Sequence, residues 1–502
     1  MKRFLCVLML ALLSVGLAGS QTAVVTRNVN LRPDASTSQD AIATLTPGTQ
    51  LQLLSPDKTN GYYQVKTPDG KSGFVFARNV KVQAAGTPPS GGTPSGRIPS
   101  VGTPSGGTPS GGTPSSGGPA PLLAKGHPVT WWFAFKFNSA IFPGCAAGAT
   151  RSCLTGGQVQ NYKNFSQQFA FASSENRSLQ AGSGCAGDTT ADPVGATFEQ
   201  VYDNSFFYVI WNDQFYDDPA IQGCTKSCSA PWGHSKGMLA WNSAGEGFVL
   251  QVTTPSWPAA GSKSSPRKND GNTLGCVQDD NVQVSQHFFA LKLTKPDLVK
   301  VLGALQNASV VTDPKNAQVV RNGGPADVQA LVSKLGAKSA SETFTKDILS
   351  SGVELISKPS NLNVPPWQMV SAVLGGVSLR TATWWATPKI PTTTASTTIS
   401  CWHESLGEPG PVEIATTGHF DGKEFGLTGG LGTNFNHAKL GVSLSGNEHY
   451  AIFGDMNQQG AISGDKCGSS QNGRGGLFYV VDDPDLSSAV KDLITGNTAP
   501  PN

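Results

Sequence analysis

The sequence predicts a mixed α/β main domain behind a small all-β module. Three observations carry this expectation. Residues 22–84 alternate strand-like segments (AVVTRNVNLR, ATLTPGTQLQLLS, GYYQVKTPDG, SGFVFARNVKV) with turn signals such as Thr46-Pro47-Gly48 and Pro68-Asp69-Gly70. Residues 85–122 repeat GGTPS and VGTPS. Gly and Ser keep such a segment flexible, and it has too few apolar side chains to offset the entropy of ordering, so it reads as a tether. Residues 126–500 mix apolar strand candidates with helix candidates. The strand candidates are VTWWFAFKF (129–137), SFFYVIW (205–211), GFVLQVT (247–253), HFFALKL (287–293) and GLFYVVD (476–482). The helix candidates DLVKVLGALQ (297–306) and ADVQALVSKLG (326–336) each follow a proline, Pro296 and Pro325, where a missing N–H costs least.

The 502 residues carry a formal net charge of +2. Removing residues 1–20 takes away Lys2 and Arg3 and leaves 34 bases against 34 acids. That balance excludes a histone-like binder that holds nucleic acid by bulk charge. Residues 1–20 read as an export signal. Lys2 and Arg3 form the charged end, Phe4 to Leu17 the apolar run, and Ala18-Gly19-Ser20 the small-residue cleavage site. The apolar run is short of the ~20 residues needed to span a bilayer. A secreted or periplasmic protein with no membrane span is expected. Beyond Cys6, eight cysteines remain, at 145, 153, 185, 224, 228, 276, 401 and 467. An even set in an exported chain predicts up to four disulfides and disfavours zinc at Cys224-x3-Cys228.

Two short motifs carry the chemistry. Gly233-His234-Ser235-Lys236-Gly237 and Asn436-His437-Ala438-Lys439 both place a lysine two residues after a histidine. Along a strand, residues i and i+2 share a face, so imidazole and ammonium enter one site together. Two such pairs suit phosphodiester cleavage. One neutral histidine attacks phosphorus, the other protonates the leaving oxygen, and the lysines stabilise the non-bridging oxygens. Spacing alone is weak support, because a histidine near a lysine is most often a solvated surface pair.

The flanks add specificity. PWGHSKGMLAWNSAGEGFVLQVTTPSWP (231–258) resembles the first histidine region of the deoxyribonuclease II family. FNHAKLGVS (435–443), FGDMNQQG (453–460) and GRGGLFYVV (473–481) resemble its second. GHPVTWWFAFKF resembles the family's mature amino end, YVIWNDQ (208–214) its Asn-Asp-Gln segment, and TISCWHES (398–405) a Trp-His region between the sites. The resemblance implies a phospholipase D-like, two-lobed mixed α/β domain of pseudo-duplicated halves, with one His-x-Lys from each half meeting at the junction. It implies DNA cleavage without divalent metal or other cofactor, leaving 3′-phosphate and 5′-hydroxyl ends. His234, Lys236, His437 and Lys439 fall on the catalytic positions, and Asn457 where a phosphate-binding asparagine often stands. The superfamily's Asp five residues after the lysine is replaced by Leu444. The orienting carboxylate is therefore open, with Asp455 and Glu246 as candidates.

Residues 22–84, through NVNLR-Pro33 and GYYQVKTPDGKSGFVF, resemble bacterial SH3-like domains. A small SH3-like barrel that binds cell-wall peptide is the implied role, with a spacer module the alternative. Three other functions stay open for the whole chain: an inactive relative that binds DNA or cell wall, a cell-wall hydrolase, and a phosphodiesterase acting on lipid. His127, His287, His419 and His449 read as structural or solvated, and His403 as packed in the core more readily than as a substrate contact. Trp131-Trp132 and Trp384-Trp385 read as core packing more readily than as base-stacking surfaces.

Overall fold

The computed structural model describes residues 22–26, 29–36, 41–59, 61–83, 118–145, 165–187, 189–202, 206–216, 221, 223–224, 227–255, 261–262, 265–266 and 283–501. The expected export signal, most of the expected tether, Cys153 and Cys276 lie outside them. The chain divides into two compact units, residues 1–112 and 113–502.

In the first unit five antiparallel strands run in the order Ser72–Phe76, Tyr62–Lys66, Gln50–Thr59, Thr22–Val25, Val80–Gln83. A hairpin of Val29–Leu31 and Ala43–Leu45 packs against Ser72–Phe76. Ala23, Val25, Leu31, Leu51, Val65 and Val75 form its core. The two edge strands do not pair, so this is an open half-barrel where the sequence predicts a small SH3-like barrel.

The second unit corrects the expected fold class. It is not a mixed α/β, phospholipase D-like domain but a predominantly antiparallel β structure. Across the described residues of the chain there are 28 strands and five short α-helices. An eight-stranded sheet contains, in spatial order, Trp131–Lys136, Gln286–Leu293, Gly247–Val252, Lys236–Trp241 and Phe207–Asn212. A seven-stranded sheet contains Glu354–Lys358, Gly476–Asp482, Tyr450–Gly454, Leu440–Ser443 and Leu379–Ala382 in the same relative order. Only the edge pairing of Leu379–Ala382 with Val412–Ile414 is parallel within these two sheets. Short turns, such as the one from Trp241 to Gly247, dictate antiparallel neighbours.

The sequence misleads for a physical reason. Strands such as WWFAFK (131–136) are apolar from Trp131 to Phe135 and buried throughout, which is the habit of parallel strands covered on both faces. Here the second covering layer is the other sheet. Phe133 meets Phe453 at 4.7 Å, and Phe289 stacks on Phe453 at 4.4 Å. The alternation of Gly476–Asp482 shows both faces at work. Leu477, Tyr479 and Val481 join the core between the sheets, whereas Phe478 and Val480 join a second core with Trp367, under helix Pro366–Val373. Each such phenylalanine contributes about 1.5–3 kcal/mol by leaving water.

Helix Lys295–Asn307 begins at a capping box, in which Thr294 and Asp297 satisfy each other's backbone N–H groups. It ends where the carbonyl of Ala308 sits between two glycines. A Cβ on Gly233 would lie 2.5 Å from that oxygen, and one on Gly475 2.2 Å. Both positions admit only hydrogen, and this lets the two sheets close at the site.

Among the described residues there are three disulfides: Cys145–Cys185, Cys224–Cys228 and Cys401–Cys467. Cys224 and Cys228 are thus bonded to each other. Among the described residues no helix is long and apolar enough to cross a membrane.

Candidate active site

The two motifs arrive from different sheets. Lys236 opens strand Lys236–Trp241, and Lys439 directly precedes strand Leu440–Ser443. Each histidine is then held by the opposite sheet. His234 donates its backbone N–H to Gly475 O at 2.8 Å, just ahead of strand Gly476–Asp482. His437 donates its own to Ser285 O at 2.7 Å, just ahead of strand Gln286–Leu293. The arrangement is reciprocal, so neither motif reaches its position without the other lobe.

His234, Lys236, His437, Lys439 and Asn457 line one cleft of about 310 Å³, together with Asp213, Trp384, Leu431 and Arg474. A larger cleft of about 760 Å³ contains neither motif. It is lined by Glu175, Asp421, Asp485 and Asp492 with Arg177 and His419, a carboxylate-rich wall that repels phosphate.

The family model for Deoxyribonuclease II matches residues 122–498. The chain belongs to the deoxyribonuclease II family. The family model for the bacterial SH3 domain matches residues 27–81. No curated protein matches the chain. Membership makes the larger unit a DNA-hydrolysing nuclease domain, with a bacterial SH3 domain earlier in the chain.

Within this deoxyribonuclease II domain the two half-sites differ electrically. His234 Nδ1 lies 2.7 Å from the backbone oxygen of Asp455. A carbonyl can only accept, so Nδ1 carries the hydrogen and Nε2 keeps its lone pair. Lys236 Nζ donates to Asp213 Oδ1 at 2.6 Å, and Arg474 Nη2 donates to Asp213 Oδ2 at 2.8 Å. Burial raises the Asp213 carboxyl, but attraction from Lys236 and Arg474 outweighs it and holds the group well below the usual carboxylate range. Arg474 also donates to Trp232 O and Gly233 O, tying its loop to the first motif. Buried Lys358 braces the same loop by donating to the carbonyls of Asn472 and Arg474.

Three lysines act on His437. Burial, then Lys439, Lys236 and Lys136, push its imidazole well below the usual histidine range. The edge of Trp384 packs on it at 4.4 Å, so this tryptophan borders the cleft and is not a core residue. Lys439 Nζ donates to the carbonyl of His437. His234 is also pushed well down, by burial and then Lys236, with Asp213 acting in the opposite sense.

Asn457 donates Nδ2 to Gln459 Oε1 at 2.9 Å, and its Oδ1 has no hydrogen-bond partner. Of the two candidate carboxylates, Glu246 is exposed on a turn and bonds Asn242. Asp455 is buried beside His234 but orients it through its backbone carbonyl, not its carboxylate. His403 is not packed in the core; it bonds Ser405 near the surface. Asp213 and Arg474 escaped residue-by-residue reading. Both lie inside quoted segments, YVIWNDQ and GRGGLFYVV, but neither repeats a spacing that would single it out.

Proposed function

We propose that the chain is an exported endonuclease that cuts DNA without a metal ion, through two histidines. The observation that carries this reading is the convergence of both His-x-Lys pairs on one cleft. His234 is assigned as nucleophile. Its Nε2 lone pair is fixed by the Nδ1–H bond to Asp455, and the Asp213 carboxylate favours the positive charge that the ring acquires on bonding phosphorus.

His234 Nε2 forms the P–N bond as the P–O5′ bond breaks. Protonated His437 gives its proton to the departing 5′ oxygen, and its cationic surroundings make that proton readily lost. Neutral His437 next takes a proton from water, whose oxygen attacks phosphorus. The P–N bond breaks, His234 is restored, and a 3′-phosphate remains. Lys236, Lys439 and Arg474 stabilise the non-bridging oxygens, with Asn457 as a further phosphate contact once its amide leaves Gln459.

Three disulfides, and no membrane-crossing helix among the described residues, support work outside the cytoplasm. The bacterial SH3 domain is read as a protein-binding module whose target is cell-wall peptide. Supercoiled plasmid incubated with the protein in excess chelator, from pH 4 to pH 8, should be nicked and then linearised. The new ends should accept 5′ labelling directly and need a phosphatase before 3′ extension. Plasmid left intact across the range would sink the nuclease reading.

A further inference from the structure

A buried chain of polar groups crosses between the two lobes behind the cleft. It starts at the backbone N–H of Lys439, which donates to His287 Nδ1 at 3.1 Å. A backbone amide can only donate, so His287 Nδ1 is an acceptor and the hydrogen sits on Nε2. Nε2 lies 3.3 Å from Gln251 Oε1, which must therefore accept. The amide orientation of Gln251 follows, and its Nε2 donates to Asp455 Oδ1 at 3.0 Å. Asp455 Oδ2 accepts from Leu477 N–H at 2.9 Å, and the Asp455 backbone oxygen accepts from His234 Nδ1. His287, Gln251, Asp455 and Lys439 are all at most 3% exposed. Water therefore does not compete for these groups, and each depends on the next.

We propose that His287 and Gln251 form a positioning bridge that ties the second motif, at Lys439, to the Asp455 that orients His234 in the first. The inference rests on the two-histidine reading above. Neither residue lines the cleft, so neither is catalytic; both act through Asp455 and Lys439. The bridge works with His287 neutral, because a proton on Nδ1 would confront the Lys439 N–H. The surroundings agree: burial and then Lys439 push His287 well below the usual histidine range. At the other end, burial raises the Asp455 carboxyl to about 7, against the opposing effects of Ser235, Leu477, Gln251 and Lys236. Tyr479 and His234 also face Asp455.

The test is a pair of substitutions in the full chain. Gln251→Leu fills the space and removes both bonds. It should lower kcat roughly 10–100-fold at every pH, with KM nearly unchanged, because His234 loses its fixed aim. Gln251→Glu can still accept from His287 but needs a shared proton to reach Asp455. It should stay within about threefold of wild type at acid pH and lose activity as pH rises and the two carboxyls ionise together. A merely structural role would not produce that pH-dependent rescue. Thermal unfolding checks that both variants fold. Near-wild-type kcat for folded Gln251→Leu, or no difference in pH profile between Gln251→Glu and wild type, overturns the bridge.

Nitrogen-15 NMR of the wild-type protein gives a readout that needs no activity. His287 should be the Nε2–H tautomer and His234 the Nδ1–H tautomer. A charged or Nδ1–H His287 at pH 6 overturns the bridge. The expected tautomers in a protein that cuts no DNA would support the bridge while removing the nuclease reading.

Discussion

The first and second histidine motifs share spacing, strand position and a backbone anchor in the opposite sheet, yet their charge environments differ. Lys236 is matched by Asp213, which also holds Arg474, so the first half-site contains its own counter-charge. Lys439, Lys236 and Lys136 act on His437 and push it down. Motifs of the same spacing thus acquire different charge surroundings from residues that lie outside them. A histidine that gains charge by forming a P–N bond needs a nearby carboxylate. A histidine that must release a proton is better served by cations.

The sharpest way to break this comparison is to remove each histidine and use two substrates. His234→Ala or His437→Ala should each lower cleavage of DNA on the order of 10³-fold or more. An aryl phosphodiester needs no acid for its leaving group. With it, His437→Ala should release one equivalent of phenolate in a burst and accumulate phosphohistidine at position 234, whereas His234→Ala should show no burst. Phosphate trapped on His437 instead would reverse the assignment.

Next in size is the counter-charge itself. Asp213→Asn leaves Lys236 and Arg474 buried without their anion, and stability should fall by about 3–5 kcal/mol in denaturant titration. The Asp213 carboxyl is held below its unfolded value. Its contribution is therefore present above the unfolded pKa of about 3.9 and is lost only as pH falls through the lower folded value. A variant as stable as wild type at pH 7 would show that the two half-sites do not differ as described.

A smaller effect is expected from pH acting on the wild-type protein. His234, His287 and His437 all titrate well below the ordinary value of about 6.5. The unfolded chain then binds more protons as pH falls below about 6.5, so stability should decline in that direction. Each histidine gives a limiting slope of roughly 1.4 kcal/mol per pH unit. Asp455, raised to about 7, opposes this by taking up a proton in the native state between pH 7 and about 4. The lowered histidines of the free enzyme place the peak of kcat/KM on the acid side of about 6.5, and bound phosphate, which raises them again, moves the kcat profile the other way. An unfolding midpoint that climbs steadily from pH 6.5 to pH 4.5 contradicts the assigned directions.

The smallest effect on cleavage should come from deleting the first unit. A chain starting at Gly118 keeps both motifs and the residues that pin its start, since Ala120 exchanges hydrogen bonds with Gln200. It should cut short oligonucleotides within about twofold of the full chain, because tethered units contribute little to each other's local chemistry. Binding to cell-wall material should fall instead. A large loss on oligonucleotides would mean that the nuclease unit is incomplete.

Much of the site is readable without coordinates because its signals are local. A histidine and a lysine two apart make a short repeat, and glycines and aromatic strands flank both copies. His234, Lys236, His437, Lys439 and Asn457 do line one cleft. Asp213 and Arg474 are different. They are 261 residues apart and meet only because the sheets close on each other. Gln251 and His287 sit inside ordinary apolar strands, where nothing in the local pattern separates them from core residues.

The sequence by itself determined the family, the presence of a bacterial SH3 region ahead of the larger unit, and several of the apolar strands. Apolar runs, prolines, glycines and turn residues act through near neighbours, so a linear reading reaches them. Tertiary structure alone decided that the apolar strands cover each other as two antiparallel sheets in place of an α/β layer. It also decided that Asp213 pairs with Lys236, and that a carbonyl, not a carboxylate, aims His234. Buried charge and hydrogen-bond direction depend on what lies within a few ångströms in space, and chain order does not encode that distance.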